Sequence, residues 1–139
     1  MKKILLWLWQ LPQNLIGFVW TRFSKDGFQI KNIGKQIKVW YLPCFNSGIA
    51  LGNYIIIDTW YKNIKDENMT NEILHETGHQ KQSRILGPLY LLIVGIPSLV
   101  RSVWDRLFHR KWTLTQRLEW YYSGFPEKQA DRLGGVKRP

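Results

Sequence analysis

Charge-free runs, period-two alternation and helical spacing follow one another along this chain. Ile4 to Thr21 carries no charge and is bounded by Lys2, Lys3 and Arg22. Gln10, Pro12, Gln13 and Asn14 interrupt its middle. A simple spanning helix needs about 20 mostly apolar residues, so the run is marginal for that role. No small-residue cleavage site of a signal peptide follows it. Trp7, Trp9 and Trp20 are of the type that settles at a membrane–water interface. The run reads either as a membrane-associating helix or bent hairpin, or as an amphipathic helix covering the domain's own core. The expected division is residues 1–23 as an N-terminal hydrophobic segment and 24–139 as one domain.

A strand-rich region follows. Phe28–Lys31 and Gln36–Leu42 are extended runs around Asn32-Ile33-Gly34-Lys35. Ile37, Val39 and Tyr41 alternate with Lys38 and Trp40, as in a sheet with two differing faces. Ser47–Leu51 and Tyr54–Asp58 flank Gly52-Asn53, a hairpin signal. Tyr54–Ile57 is apolar throughout, as expected of a strand covered on both faces.

Residues Tyr61 to Met69 are polar and loop-like, and Thr70 suits an N-cap. The predicted helix runs to about Leu86, where Gly87-Pro88 ends it. Gly78 costs that helix about 1 kcal/mol, so close approach of another backbone beside it is expected. Ile85 to Val100 is again free of charge, broken by Pro88 and Pro97. It fits a buried helix or a membrane-embedded segment. Val100–Trp112 sets Val103, Trp104, Leu107 and Phe108 against Arg101, Arg106, Arg110 and Lys111, the pattern of a helix lying on an anionic surface. Thr115–Tyr122 is predicted helical, Ser123-Gly124-Phe125-Pro126 breaks it, and Pro126 suits the first position of a last helix ended by Gly134-Gly135.

Composition sharpens two points. At 139 residues with 45% hydrophobic content the chain fits one modest core. Its net charge of +10 and eight tryptophans suit an anionic membrane surface. Nucleic acid is the disfavoured partner, because no recognition motif accompanies the charge. Positive charge on the globular part favours a cytoplasmic-facing, membrane-associated location. The single cysteine, Cys44, allows no internal disulfide. A thiol cap on a metal is one reading of it, and a buried thiol the other.

The candidate chemistry lies in His75-Glu76-Thr77-Gly78-His79. Four residues apart on a helix, His75 and His79 return to nearly one face and can aim one nitrogen each at one Zn²⁺. Glu76 can reach a water at that metal without being a ligand, as a general base needs. A catalytic zinc takes three protein ligands. Glu127 is the candidate third, with Glu119 and His109 as alternatives. The competing reading is a helix whose histidines face solvent.

The HExxH, with Glu127-Lys128-Gln129-Ala130-Asp131 downstream as ExxAD, resembles the gluzincin metallopeptidases. It resembles most the single-domain minigluzincins and the motif layout of membrane-bound gluzincin peptidases. The resemblance covers residues 75–79 and 127–134. It implies an α+β, zincin-like fold: a short mixed or antiparallel sheet, then an active-site helix, an apolar helix and a C-terminal glutamate helix. It implies a zinc metalloendopeptidase acting on peptide or protein substrates, with Glu127 as ligand and Asp131 orienting a histidine. It also implies that an edge strand, here Ser47, Gly48, Ile49, Ala50 and Leu51, binds the substrate main chain; an ordinary hairpin is the other reading. Tyr121 or Tyr122 is expected to supply an oxyanion donor or simply to pack. A non-catalytic zincin-like module that binds a membrane or protein is the competing class.

Overall fold

The computed structural model describes residues 2–23, 27–32, 35–42, 47–59 and 67–138. Cys44, Ile33-Gly34 and most of the polar segment after Tyr61 lie outside the described residues. The fold is α+β. Two short helices, α1 (Lys2–Trp9) and α2 (Leu11–Thr21), precede four strands. These are β1 (Gly27–Asn32), β2 (Lys35–Tyr41), β3 (Gly48–Leu51) and β4 (Tyr54–Ile57). Then come α3 (Glu67–Leu86), a 3₁₀ turn (Gly87–Leu89), a π stretch (Leu91–Gly95), α4 (Ile96–Phe108), α5 (Leu114–Ser123) and α6 (Glu127–Gly134).

The sheet order is β1-β2-β4-β3. β1–β2 and β3–β4 pair antiparallel, and β2–β4 pair parallel, so the sheet is mixed. Gly52-Asn53 turns the β3–β4 hairpin, with Gly52 at φ +64°. β4 is central and its side chains split between two layers. Ile55 and Ile57 join Val39 and Ile73 against α3, with Tyr41 and Met69 alongside. Ile56 joins Leu42 and Leu51 on the other face, with Trp20 of α2 and Leu91 packed on them. That double coverage is why Tyr54–Ile57 has no polar alternation.

α3 begins at Glu67, a turn before the Thr70 cap expected from sequence. It ends where Gly87 adopts φ +55°, a left-handed conformation that glycine tolerates best. Pro126 occupies the N-cap of α6 rather than its first turn. Gly135, at φ +79°, caps α6, and its N–H bonds the Asp131 carbonyl. α3 and α6 cross with backbones in contact. A Cβ at Gly78 would overlap the Ala130 carbonyl, and one at Gly134 would overlap the Leu74 carbonyl. Gly78 is thus spent on the approach expected of it, and the partner is the glutamate helix.

Candidate metal centre

The α3–α6 crossing brings His75, His79 and Glu127 together. His75 Nε2 lies 3.0 Å from Glu127 Oε2, His79 Nε2 lies 3.1 Å from the same oxygen, and the two Nε2 atoms are 3.1 Å apart. All three side chains are buried, Glu127 completely. Among the described residues these three form the group whose geometry can hold a metal ion. Glu119 instead lines a surface cleft of about 370 Å³ with Trp112 and Trp120. His109 stacks on Trp112, with ring centres 3.8 Å apart, and its Nδ1 faces Asp105.

The outer nitrogens decide the tautomers. His75 Nδ1 is 2.7 Å from Asp131 Oδ1, and a carboxylate oxygen there can only accept. His79 Nδ1 is 2.7 Å from Gln82 Oε1. The Gln82 amide nitrogen donates to the Pro126 carbonyl and to Gln129 Oε1, so its oxygen is the atom left for the histidine. Both Nδ1 atoms therefore carry protons, and the two Nε2 atoms turn toward one carboxylate oxygen. Three acceptors within 3.1 Å of each other repel unless a cation or shared protons lie among them. Zinc–nitrogen bonds of about 2.0–2.1 Å at a tetrahedral angle put ligand atoms about 3.3 Å apart, close to this spacing. Glu127 Oε1 and Glu76 Oε2 are buried with no hydrogen-bond partner. The donor set fits a metal ion.

Protonation follows the same logic. Burial acts to lower the His75 imidazolium, but bonds to Asp131 and Glu127 carry it up to about 10. Burial lowers His79 too, and Glu127 and Glu76 outweigh it. Against burial, the two histidines hold the Glu127 carboxyl far below its usual range. Glu76, wholly enclosed, is pushed up to about 7 by burial, with both imidazoles pulling against that. Asp131 is held down, against burial, by His75 and Arg138.

The remaining expected residues fall around this cluster. β3 is an edge strand, and its hairpin register turns the main-chain groups of Gly48 and Ala50 away from β4. Gly48 N–H donates to Glu72 Oε1 at 2.9 Å, and the Tyr90 hydroxyl donates to the Ala50 carbonyl at 3.0 Å. A Cβ at Gly48 would come within 2.7 Å of Glu76 Oε1, so the strand lies directly against that carboxylate. Ile49 and Leu51 pack in the core layer facing α2, and the Ser47 carbonyl bonds Asp58 N–H. Tyr122 sits edge-on to His75, 5.1 Å between ring centres, and is covered by the Arg138 guanidinium. The Tyr121 hydroxyl is pushed up by burial and by the Glu127 charge, against a hydrogen bond with Ser98.

Four residues at the site went unnoticed in the sequence. Gln82 lies three positions after His79, the spacing that puts it on the same helical face, so its signal was present. Glu72, four before Glu76, was equally accessible. Tyr90 and Arg138 carry no local signal, because only the fold brings them to β3 and Asp131. Comparison with known proteins adds no assignment: no protein-family model, curated protein or solved structure matches this chain.

Proposed function

We propose that this protein is a zinc-dependent peptidase of gluzincin type, working in association with a membrane. The observation that carries the reading is the meeting of two Nε2 atoms and one carboxylate oxygen within 3.1 Å, beside a buried glutamate. His75, His79 and Glu127 would hold the ion. When bound, zinc supplies Lewis acidity toward a carbonyl oxygen and acidifies a water.

The chain's own groups do the rest. Glu76 takes the proton of the attacking water and delivers it to the departing amine, and its enclosure, which favours the neutral carboxyl, assists the uptake. Asp131 and Gln82 hold the histidine rings in the tautomer that leaves Nε2 free. Gly48 lets β3 lie directly against the Glu76 carboxylate, which brings the edge strand beside the proton-transfer group. With Glu72 and Tyr90 engaging Gly48 N–H and Ala50 C=O, the outward groups left for an extended substrate are Gly48 C=O and Ala50 N–H. Tyr121 is the better candidate than Tyr122 for an oxyanion donor, because the Tyr122 ring is packed between His75 and Arg138.

One observation favours a second reading. His75, Glu76, His79 and Glu127 are all at most 5% exposed, as in a structural metal site of a non-catalytic module. Zinc titration combined with cleavage of a diverse peptide library, for wild type and Glu76→Gln, separates the two. The peptidase reading expects one zinc in both proteins and cleavage by wild type alone. Zinc in both with no cleavage by either establishes the structural metal. Equal cleavage by both removes Glu76 as the base.

A further inference from the structure

Two helical stretches of this chain wear their apolar side chains on the outside. Gln10, Gln13 and Asn14 are completely buried, while Leu15, Ile16, Phe18 and Val19 of the same helix pair are exposed. After Gly87 the pattern repeats. Tyr90, Val94 and Asp105 face the protein, and the opposite stripe is Leu89, Leu92, Ile96, Leu99, Val103 and Leu107. In a water-exposed helix the polar face points outward. Here the outward stripe is apolar in both stretches, and in the first the inward face is made of amides. Contiguous exposed apolar surface on this scale marks an interaction face.

The two stripes adjoin. Trp9 Nε1 donates to the Arg84 carbonyl at 3.0 Å, and its ring fills the space where Gly87 lacks a Cβ. Gln13 Nε2 donates to both Ser83 Oγ and the Gly87 carbonyl at 2.9 Å, and Ser83 Oγ donates to Gln10 Oε1 at 2.7 Å. Leu8 and Leu11, chain neighbours of Trp9 and Gln10, and Ile85 and Leu89, within two residues of Arg84 and Gly87, are all exposed.

Charge selects the partner. Residues 2–23 carry Lys2, Lys3 and Arg22 and no carboxylate. In residues 85–112 the single carboxylate, Asp105, is buried against Arg117 and His109, while Arg106, Arg110 and Lys111 are exposed. The exposed charges of both stretches are therefore all positive. An apolar surface fringed only by cations complements an anionic bilayer. Among the described residues no helix is long and apolar enough to cross a membrane. At 1.5 Å per residue, α1 and α2 reach about 12 and 16 Å, short of a hydrocarbon core of about 30 Å.

We propose that the two stripes form one surface that lies in the interface of an anionic lipid bilayer, with α1–α2 and residues 85–108 embedded in the plane of one leaflet. The inward side of residues 85–108 reaches the metal centre, since the Tyr90 hydroxyl donates to Ala50 of β3, the strand that lies against Glu76. The membrane surface and the metal centre thus share one stretch of chain. The proposal gives the membrane association a face and a depth, and it stands without the peptidase activity.

The test is flotation of the full chain with vesicles of phosphatidylcholine plus phosphatidylglycerol, against phosphatidylcholine alone, with tryptophan quenching by brominated acyl chains. Wild type is expected to float with the anionic vesicles, less with the neutral ones, and to be quenched. Leu92→Lys combined with Leu99→Lys is expected to lower partitioning by about tenfold or more. Unchanged zinc binding by that variant shows that it folds. Equal flotation of variant and wild type overturns the proposal, as does flotation without quenching. A wild type that stays lipid-free as a stable dimer also overturns it, and assigns the face to a second copy of the chain. Flotation as expected with no peptide cleaved leaves this surface standing and removes only the peptidase.

Discussion

The α3–α6 crossing and the α1–α2/residues 85–108 surface both bury polar groups, but they do so with opposite chemistry. At the crossing the buried groups are ionisable, and His75, His79 and Glu127 turn acceptors toward one another. Under α1–α2 they are neutral. Gln10, Gln13, Asn14 and Ser83 close mostly on each other and on main-chain carbonyls. The first arrangement is balanced only by a positive charge at its centre. The second leaves apolar side chains on the outside. Buried polarity is therefore not one signal: a cluster of ionisable acceptors fits an ion, whereas neutral amides, closed mostly on each other and on main-chain carbonyls with Gln13 Oε1 unpaired, turn the apolar side chains outward.

The comparison can be broken most sharply at the ion. His79→Ala or Glu127→Ala is expected to weaken zinc binding by more than about 100-fold, beyond the usual cost of losing an outer partner; competition with a chromophoric chelator measures it. Retained affinity would mean the three acceptors are not ligands. Gly78→Ala pushes a methyl into the Ala130 carbonyl and separates the helices. Even after a helix-propensity gain of about 1 kcal/mol, a net loss of about 1–3 kcal/mol in denaturant unfolding is expected. Asp131→Asn removes the carboxylate that orients His75, for a loss of about 10–100-fold in metal affinity. Arg138→Met acts one contact further out, through Asp131, and is expected to cost less than about tenfold.

The smallest effect belongs to residues 85–108 and reads as pH dependence. Burial would raise the Asp105 carboxyl, but hydrogen bonds from Arg117 and His109 hold it below its usual value. A carboxylate with a depressed folded pKa binds fewer protons folded than unfolded. Its stabilisation is present above the unfolded value of about 3.9 and is lost as pH falls through the lowered folded value. Asp105→Asn is expected to flatten the stability profile between about pH 5 and pH 2. Unfolding midpoints across that range check it, and parallel profiles would show that the Arg117 pair contributes nothing.

Much of this was legible in the chain itself. Period-two alternation at Ile37–Tyr41, the Gly52-Asn53 turn, the apolar Tyr54–Ile57 and the Gly87 and Gly135 stops correspond to elements or their ends. His75 and His79 come together because four residues make about one helical turn, a local rule that needs no fold. Gly78 announced a close neighbour because a helix-interior glycine needs a reason. The bounds of α3 were less legible, since Glu67–Met69 is polar and gives no apolar period.

What tertiary structure alone decided is long-range. Glu127 is 48 residues from His79, and only the α3–α6 crossing closes the gap. Tyr90 and Arg138 join the site by contacts with no sequence period, so no local pattern marks them. Hydropathy could say that residues 4–21 and 85–100 were apolar and free of charge, but not which face turns outward. That sense depends on which partner the other face finds. Here the amides found each other, and the leucines were left to the outside.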